Sequence, residues 1–563
     1  MRVRLLGIVV LVLTGAVRPV AAASPAVCMR ASGNADSRCL ERYDDLLARC
    51  RAHGDAACEA AARADGGSLS VALDRLDDPS RAACTDATSE PLDYTSAGDV
   101  VLRGHDACAD FGEDWLAGVF ASNPSSLSGA FVDCQREVSR QLGHLRDATV
   151  RLEGARCYLT HFEGKGCDRA QRDARIARIE ASVRRRIAGR CGAAFDGLGL
   201  GSLDDLIDRV FTRSRHFAQL VYPPNDLGPT SDYGPYPVGV QTLTLFDPSR
   251  LDPTGMGPRQ LTVEVYYPST AAAIAGVPRD VISVLGVDLL ATPSYRDVAI
   301  APGPFPMVLF SHGNDGIRFQ SFFFTAHMAS HGYVVVSPDH RGNTFVDALL
   351  GIVDPNVAVN RPLDMSFLID QFLAFDAEGG NFFANAIDPS RIGASGHSFG
   401  GYTVLALAGG AGPAGTFTDP RVKTILPQAP AAPFSDAFFA NIHIPTLLVG
   451  GSLDVTTPFE ANQEHPFEEL PAGAKIVGLA ELTDAGHFTF SDFCEVPREL
   501  LAFLGGFDEA CEPKHLPWRR AHDIVKYLAL NFFDATLNDD AAALSRLDPQ
   551  VVGDIEDLRV WRK

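Results

Sequence analysis

Hydrophobic patterning divides the chain into a helical part and a part in which strands alternate with helices. Residues 24–215 are rich in Ala, Arg, Leu and Glu and contain few β-branched runs. Within them, residues 42–64 and 139–190 have the composition and spacing of helices. The first part of the chain is therefore predicted to be a helical domain.

The pattern changes after residue 211, and short β-rich runs begin beyond a Pro/Gly-rich segment at residues 222–229. Residues 238–246 and 260–267 alternate apolar and polar positions, as an antiparallel edge pair does. Continuously apolar runs then alternate with helical stretches, at residues 305–310, 333–336, 391–394, 422–426, 446–449 and 475–479. This alternation predicts a mostly parallel sheet that is covered by helices on both faces.

Chain length agrees with more than one domain, because 563 residues exceed what a single ordinary core holds. We expect a leader at residues 1–23, a cysteine-rich helical domain at 24–215, an α/β domain at 216–535 and a C-terminal tail at 536–563. The end of that tail is charged, and its pattern favours no particular element.

The first residues have the pattern of a secretory signal peptide. A basic start at residues 1–4 precedes a short apolar run at 5–17, and Ala23 ends a group of small residues that suits signal peptidase. An uncleaved anchor is the less favoured alternative, since a spanning helix needs ~20 apolar residues. No later segment is long and apolar enough to span a membrane. The mature protein is expected to be secreted or periplasmic.

The twelve cysteines agree with export. Ten of them lie between Cys28 and Cys191, and only Cys494 and Cys511 follow. The simplest account is five disulfides in the first region and one in the second. The ten early cysteines lack Cys-x-x-Cys pairs, which disfavours a zinc cluster.

Net charge narrows the classes of partner. A charge of −21 argues against nucleic acid and against charge-driven binding to anionic lipid. An ester or lipid substrate stays open, because a small apolar cleft can lie in an acidic protein. The basic run at residues 184–186 is either a partner-binding patch or, as we favour, a solvated helix face.

Residues 396–400 read Gly-His-Ser-Phe-Gly, between an apolar strand and an Ala/Leu-rich helix. This is the setting of a nucleophile elbow, in which a tight turn presents the serine. The turn strains the backbone, and small glycines avoid clashes beside it. The non-catalytic alternative is a turn whose serine only caps the helix. We predict that Ser398 is a nucleophile.

A serine alcohol needs a base that is held by an acid. Among the five histidines after Ser398, only His487 lies in a glycine-containing loop just beyond a predicted strand. The expected chain order is serine, acid, histidine, and Asp454 follows the strand at residues 445–451. Asp484, three residues before His487, is the alternative acid.

An oxyanion intermediate needs two backbone donors. The first is expected at Phe399, directly after the serine, and the second in the Ser-His-Gly-Asn-Asp-Gly loop at residues 311–316. We assign that second N–H to Asn314, with Gly313 as the alternative. This chemistry requires no metal and no organic cofactor.

These motifs together resemble the plasma-type platelet-activating factor acetylhydrolases and bacterial dienelactone-hydrolase-like proteins. The resemblance covers about residues 235–510 and implies an α/β-hydrolase fold, whereas the helical region has no counterpart in it. Its matching segments are residues 263–268, 308–313, 396–401 and 487–493.

One departure from the acetylhydrolases concerns the acid. In that family the acid follows the strand just after the elbow helix, but here residues 424–426 run into Pro427-Gln428-Ala429, without a carboxylate. The acid is therefore placed at Asp454, the position that dienelactone hydrolases use. This change weakens any transfer of phospholipid specificity.

The resemblance implies a secreted serine ester hydrolase that forms an acyl-enzyme on Ser398. Short-acyl phospholipids are the first candidate substrates, and a lactone or a polyester is the alternative. A non-enzymatic alternative is an extracellular binding protein that uses its helical domain. Phenylalanines near the oxyanion loop either line an acyl pocket or form ordinary helix core, namely Phe319, Phe322, Phe323 and Phe324.

Overall fold

A computed structural model describes residues 24–52, 56–64, 83–84, 97–120, 127, 129–224, 226–284, 286–496 and 511–563. The predicted signal peptide at residues 1–23 lies outside these ranges. Among the helices so described, none has the length and apolar character needed to cross a membrane.

The first region is helical, as predicted. Its described helices are α1 (Pro25–Ala52), α2 (Ala56–Arg63), α3 (Ala97–Val119), α4 (Ala130–Val150), α5 (Leu159–Phe162), α6 (Arg169–Cys191) and α7 (Leu203–Val221). A π-helical stretch, Arg151–Tyr158, continues α4. The predicted helix at residues 139–190 is interrupted, because Gly164 and Gly166 adopt left-handed φ angles of 73° and 72° that end the helical path. Asp168 then caps α6 by accepting from the Gln171 N–H.

Every cysteine pairs in a disulfide. The pairs are Cys28–Cys84, Cys39–Cys108, Cys50–Cys58, Cys134–Cys191, Cys157–Cys167 and Cys494–Cys511. The expected division into five early bonds and one late bond is confirmed.

The second region is built on a ten-stranded sheet with the order β12-β11-β10-β9-β8-β6-β7-β2-β1-β5. Its strands are β1 (Val238–Leu251), β2 (Pro258–Pro268), β5 (Ser294–Arg296), β6 (Phe305–Ser311), β7 (Val334–Pro338), β8 (Ile387–His397), β9 (Val422–Gln428), β10 (Thr446–Gly451), β11 (Val477–Leu482) and β12 (Leu558–Arg562). Strands β3 (Val281–Val284) and β4 (Val287–Ala291) form a separate hairpin. Neighbours from β7 through β6 to β11 are parallel, whereas β1–β2, β2–β7 and β11–β12 are antiparallel.

Helices cover both faces of this sheet. They are α8 (Phe322–Ser330), α9 (Phe345–Leu349), α10 (Val357–Ala377), α11 (Phe399–Ala406), α12 (Asp436–Phe439), α13 (His465–Glu469), α14 (Trp518–Leu537), α15 (Ala541–Arg546) and α16 (Pro549–Val552). Alternate residues of the central strands enter two separate cores, one with α8 and α14 and the other with α10 and α11. The predicted α/β-hydrolase fold is confirmed.

Two details of the sheet differ from the sequence expectations. The predicted antiparallel pair β1–β2 forms, but it is not the edge, because β2 also pairs with β7 and β5 adds beyond β1. The charged C-terminal segment, whose pattern was ambiguous, contributes β12 to the opposite edge. Outward polar residues at an edge strand obscure the alternation by which strands are recognised.

The order of strands determines where a site can form. Strand β6 lies between β7 and β8, so the chain leaves β6 toward one side and returns on the other. Crevices at the carboxyl ends of parallel strands, beside such a reversal, are the usual ligand sites of α/β sheets. The loops after β6, β8, β10 and β11 all open at this edge.

Candidate active site

The turn between β8 and α11 holds Ser398 in the left-handed region, at φ 58° and ψ −118°. The Ser398 N–H donates to the Gln428 carbonyl at 3.0 Å, which fixes the turn to the neighbouring strand β9. A Cβ at Gly396 would lie 2.5 Å from the Gly400 carbonyl oxygen, and one at Gly400 only 1.8 Å from that of Ser311. Both positions therefore require glycine.

Three of the predicted residues meet in one chain of hydrogen bonds. His487 Nε2 lies 2.9 Å from Ser398 Oγ, and His487 Nδ1 lies 2.8 Å from Asp454 Oδ2. His487 and Asp454 are buried, while Ser398 is half-buried at the opening of the crevice. This is the arrangement in which an imidazole accepts the serine proton and a carboxylate orients the ring.

The alternative acid faces another part of the molecule. Asp484 has a left-handed φ of 62°, and its N–H donates to Ser452 Oγ at 2.8 Å. Its Oδ2 lies 3.4 Å from Nε2 of His216, which belongs to α7 of the helical region. Hydrogen bonding to His216 is the main cause that lowers the pKa of Asp484. The geometry thus favours Asp454 as the partner of His487.

Thr457 supports the acid and was missed in the sequence. Its N–H donates to Asp454 Oδ1 at 2.6 Å, and its hydroxyl lies 2.8 Å from Asp454 Oδ2. Both carboxylate oxygens are therefore held while one of them accepts from His487. The only sequence signal is an Asp followed three residues later by Thr, which is common in turns.

Replacing Thr457 by valine is expected to lower kcat about tenfold, because one hydrogen bond to a charged oxygen is lost while the shape is kept. The measurement is the steady-state hydrolysis of a p-nitrophenyl ester. Thr457→Ser, which keeps the hydroxyl, should retain nearly all activity. Equal losses in the two variants would show that the hydroxyl does not act through Asp454.

Gly313 and Asn314 differ in how their N–H groups are used. The Gly313 N–H donates to Gln320 Oε1 at 3.0 Å in the interior of the loop. A Cβ on Gly313 would lie 3.4 Å from Ser398 Cβ, so the loop lies directly against the nucleophile. Since Gly313 is engaged, the geometry favours Asn314 over it as the second donor. Phe399 begins α11, where a backbone N–H has no acceptor within its own helix.

His397 and Gln320 connect the separate parts of the site. Gln320 Nε2 lies 2.9 Å from His397 Nδ1, and His397 Nε2 lies 2.9 Å from the His487 carbonyl oxygen. Burial lowers the pKa of His397 well below its ordinary value, so the ring is neutral. With Nε2 protonated, it accepts from Gln320 and donates to His487. Oxyanion loop, elbow and base are thereby joined, a link that no local motif indicates.

Of the four phenylalanines near the oxyanion loop, three are buried and one is half-buried. Phe322, Phe323 and Phe324 are buried in the core beneath α8, where Phe323 stacks on the His522 ring at 3.6 Å. Phe319 is half-buried, beside the guanidinium of Arg318. The interpretation of Phe322, Phe323 and Phe324 as helix core fits the structure.

Two clusters of described side chains place oxygen and nitrogen atoms close enough to share a cation, namely Asp436, His465 and Glu469 at the surface and Asp492, Glu495 and His522 in the interior. Neither includes Ser398, His487 or Asp454. In the interior cluster, Glu495 also forms an ion pair with Arg103 of the helical region at 3.1 Å.

Two family sequence models match the second region. The family described as PET hydrolase-like matches residues 310–504, which include the elbow, the acid and the base. Platelet-activating factor acetylhydrolase, isoform II, matches residues 234–350, which include the oxyanion loop. The resemblance to acetylhydrolases that the motifs indicated is confirmed.

Similar proteins include bacterial cutinases. A cutinase of Thermobifida alba is 25% identical over 188 residues, covering 31% of this chain and 60% of its own length. Cutinase 2 of Thermobifida cellulosilytica is 24% identical over 31% of this chain and 68% of its own length. The chain thus spans about 60% of the length of the first of these relatives. A ferulic acid esterase structure from Streptomyces cinnamoneus shares 23% identity at a TM-score of 0.43, covering 58% of this chain and 96% of the esterase.

Proposed function

We propose that this chain, an α/β-hydrolase superfamily member that resembles platelet-activating factor acetylhydrolases, hydrolyses carboxylic esters through an acyl-enzyme on Ser398. The observation that carries the proposal is the hydrogen-bonded chain from Ser398 Oγ through His487 to Asp454, with distances of 2.9 and 2.8 Å. A strained serine at a glycine-flanked elbow adds to it. A serine that only capped its helix would need neither the strain nor the imidazole.

Acylation begins when Ser398 Oγ attacks the ester carbonyl carbon and its proton passes to His487 Nε2. The imidazolium is stabilised by Asp454, which accepts from Nδ1. The carbonyl oxygen becomes an oxyanion that the N–H groups of Phe399 and Asn314 receive. His487 then gives its proton to the alcohol oxygen as the carbon–oxygen bond breaks, and the acyl group stays on Ser398.

Deacylation repeats these steps with water. His487 accepts a proton from the water as its oxygen attacks the acyl carbon, and the same two N–H groups hold the second oxyanion. When that intermediate collapses, the proton returns to Ser398 Oγ and the carboxylic acid leaves. The chain's own residues supply each proton transfer.

The surroundings of Ser398 favour an ester that is presented on an apolar surface. Val455, next to the acid, is 75% exposed, and Leu350, just after α9, is 66% exposed. Helix α9 is attached to the oxyanion loop, since the Phe345 N–H donates to the Gly316 carbonyl at 3.1 Å. Exposed apolar side chains next to the acid and at the end of a helix attached to the oxyanion loop suit a polyester or an aggregated short-acyl lipid. A small dissolved lactone would gain little from them.

A panel of esters tests the activity and ranks the substrates. Purified protein is expected to hydrolyse p-nitrophenyl acetate and butyrate, and to release acid from polyester film or from acetylated phospholipid vesicles faster than it opens a lactone. Product is measured by absorbance or by titration of the released acid, with Ser398→Ala as the blank. A folded wild-type protein without activity on any member would overturn the proposal.

The variant Leu350→Ser separates the substrate classes within this panel. It should slow hydrolysis of film or vesicles several-fold, on the order of the loss of one apolar contact, and leave p-nitrophenyl acetate unchanged. Equal turnover of film by wild type and variant would remove the argument for surface-bound substrates while leaving esterase activity in place.

Export is the second part of the proposal. Paired cysteines throughout the helical region fit an oxidising compartment, where such bonds persist. The helical region also contacts the rest of the chain through ion pairs, since Arg103 lies 3.1 Å from Glu495 and Arg169 lies 3.0 Å from Asp226. This attachment favours a role of the helical region in stabilising the α/β region over a role as an independent binding module.

A further inference from the structure

We infer that Arg361 is the positioning residue of the oxyanion hole, an inference that rests on the proposed ester hydrolysis. Arg361 lies on α10 and its side chain is fully buried. A buried guanidinium usually pairs with a carboxylate. The described hydrogen bonds of Arg361 instead go to neutral oxygens, at His312, Gly313, Asn343, Ser311 and Thr403. The oxyanion loop is thus the main partner of this cation.

Two consecutive carbonyls of that loop face the guanidinium. Nη2 donates to the His312 carbonyl, and Nη1 donates to the Gly313 carbonyl at 3.3 Å. The remaining contacts are Nη1 to Asn343 Oδ1 at 2.6 Å, Nη2 to Ser311 Oγ at 3.1 Å and Nε to Thr403 Oγ1 at 3.2 Å. Arg361 therefore orients two peptide groups beside Ser398.

Peptide geometry connects these carbonyls to the oxyanion donor. In a trans peptide, the C=O and the N–H point in opposite directions. The first peptide shows the effect, because the His312 carbonyl faces Arg361 while the Gly313 N–H donates the other way to Gln320. In the second, the Gly313 carbonyl is turned to Arg361, so the Asn314 N–H points away from the cation. His312 Nδ1 holds the same carbonyl at 2.7 Å and strengthens this orientation.

The first donor is next to the same cation. The Arg361 guanidinium carbon lies 4.8 Å from the centre of the Phe399 ring, over its face. Its partner Thr403 lies one turn further along α11 and its hydroxyl donates to the Phe399 carbonyl at 2.9 Å. A single side chain thus contacts the Phe399 ring and the peptide group whose N–H belongs to Asn314.

The positive charge of Arg361 adds to its effect on the orientation of the peptide groups. Burial lowers the pKa of Arg361 to about 9, so the side chain remains a cation at neutral pH. A positive charge behind a peptide group makes its N–H a stronger donor, and this effect grows where water is excluded. No described hydrogen bond of Arg361 reaches a carboxylate, and Asp364, the carboxylate that acts most on its charge, itself pairs with Arg259 at 2.7 Å, so the charge of Arg361 is only partly compensated.

A purely structural role of Arg361 would give a different experimental result. If Arg361 only joined α10 to the sheet, its replacement would lower the folded fraction and leave each folded molecule equally active. A positioning role lowers the turnover of folded molecules and spares substrate binding, because the oxyanion exists only during the reaction.

The test compares Arg361→Met and Arg361→Lys with wild type, per active site as titrated. For Arg361→Met, we expect kcat to fall about 100-fold with KM within about threefold, as for loss of one oxyanion donor. Arg361→Lys keeps the charge but has fewer hydrogen-bond donors. Its kcat should lie between that of wild type and that of Arg361→Met. The lysine variant also serves if the methionine variant does not fold.

An inhibitor that forms the oxyanion supplies the second readout. In an alkyl trifluoromethyl ketone, Ser398 Oγ adds to the carbonyl carbon, its proton moves to His487 and the carbonyl oxygen becomes an oxyanion. The inhibition constant should rise across the variants by the same factor as kcat/KM falls. A merely structural role does not move this constant for titrated sites.

Arg520→Lys is the matched control, since Arg520 is equally buried but pairs with Asp226 and Asp557. It should lower the melting temperature and keep kcat. Unchanged kcat in Arg361→Met per titrated site, or an unchanged inhibition constant, would overturn the inference. A wild-type protein that hydrolyses no ester would instead overturn the proposed function.

Discussion

Removing the Ser398 hydroxyl or the His487 imidazole is expected to lower kcat by about 10⁶-fold, because each is needed to form and break the acyl bond. The variants are Ser398→Ala and His487→Ala, measured with the best ester of the panel. His465→Ala is the matched control, because its exposed ring contacts only the surface residue Asp436 among the bonds described. That control should retain wild-type turnover.

The double variant sharpens this expectation. Residues that act as a unit do not lose activity additively, so Ser398→Ala combined with His487→Ala should be no slower than either single variant. A double variant slower by the product of both losses would show that the two side chains act independently. Such a result would contradict the hydrogen-bonded chain as the catalytic unit.

Replacing Asp454 by asparagine is expected to lower kcat by about 10⁴-fold. Asparagine has one acceptor oxygen where aspartate has two, and its NH2 group would favour the wrong tautomer of His487. Thr457 adds to the loss, because it donates to both oxygens of the carboxylate. Turnover of a p-nitrophenyl ester over a range of concentrations gives kcat separately from KM.

Asp484→Asn is the comparison that decides between the two acids. It should retain kcat within about threefold, since its carboxylate faces His216 and not His487. It is expected to lower the melting temperature through weaker contact between the helical and α/β regions. Near-full activity in Asp454→Asn together with a large loss in Asp484→Asn would reverse the assignment.

Local patterns predicted the fold and the elbow because their causes are local. Buried parallel strands are apolar along their whole length, and a glycine-flanked serine between strand and helix admits few other structures. Asp454 and His487 followed from the order of elements in the fold. The structure places them together because β10 and β11 are neighbours in the sheet.

The rest of the site depends on contacts between distant segments. Gln320 contacts His397 across 77 positions, because β6 and β8 are adjacent, and Arg361 of α10 contacts Gly313 across 48. Periodicity carries no information about such pairs. The choice between Gly313 and Asn314 is of this kind, since only the position of Gln320 shows that the Gly313 N–H is engaged.

Disulfide pairing and the formation of β12 also depend on contacts between distant segments. The cysteine count predicted how many disulfides each region holds, but their pairing depends on how the helices pack. Cys134 and Cys191, for example, join the start of α4 to the end of α6. Likewise, β12 becomes a strand because β11 offers it an edge, with Gly478 opposite Arg562.

A fluorophosphonate probe tests the nucleophilic role of Ser398 most directly, because Ser398 Oγ would displace fluoride and keep the phosphonyl group. Intact-mass and peptide analysis of the wild-type protein should show one added group, on the peptide that contains residues 396–401. Ser398→Ala should take none. No added mass on folded wild type, or equal labelling of Ser398→Ala, would contradict the assignment of Ser398 as the nucleophile.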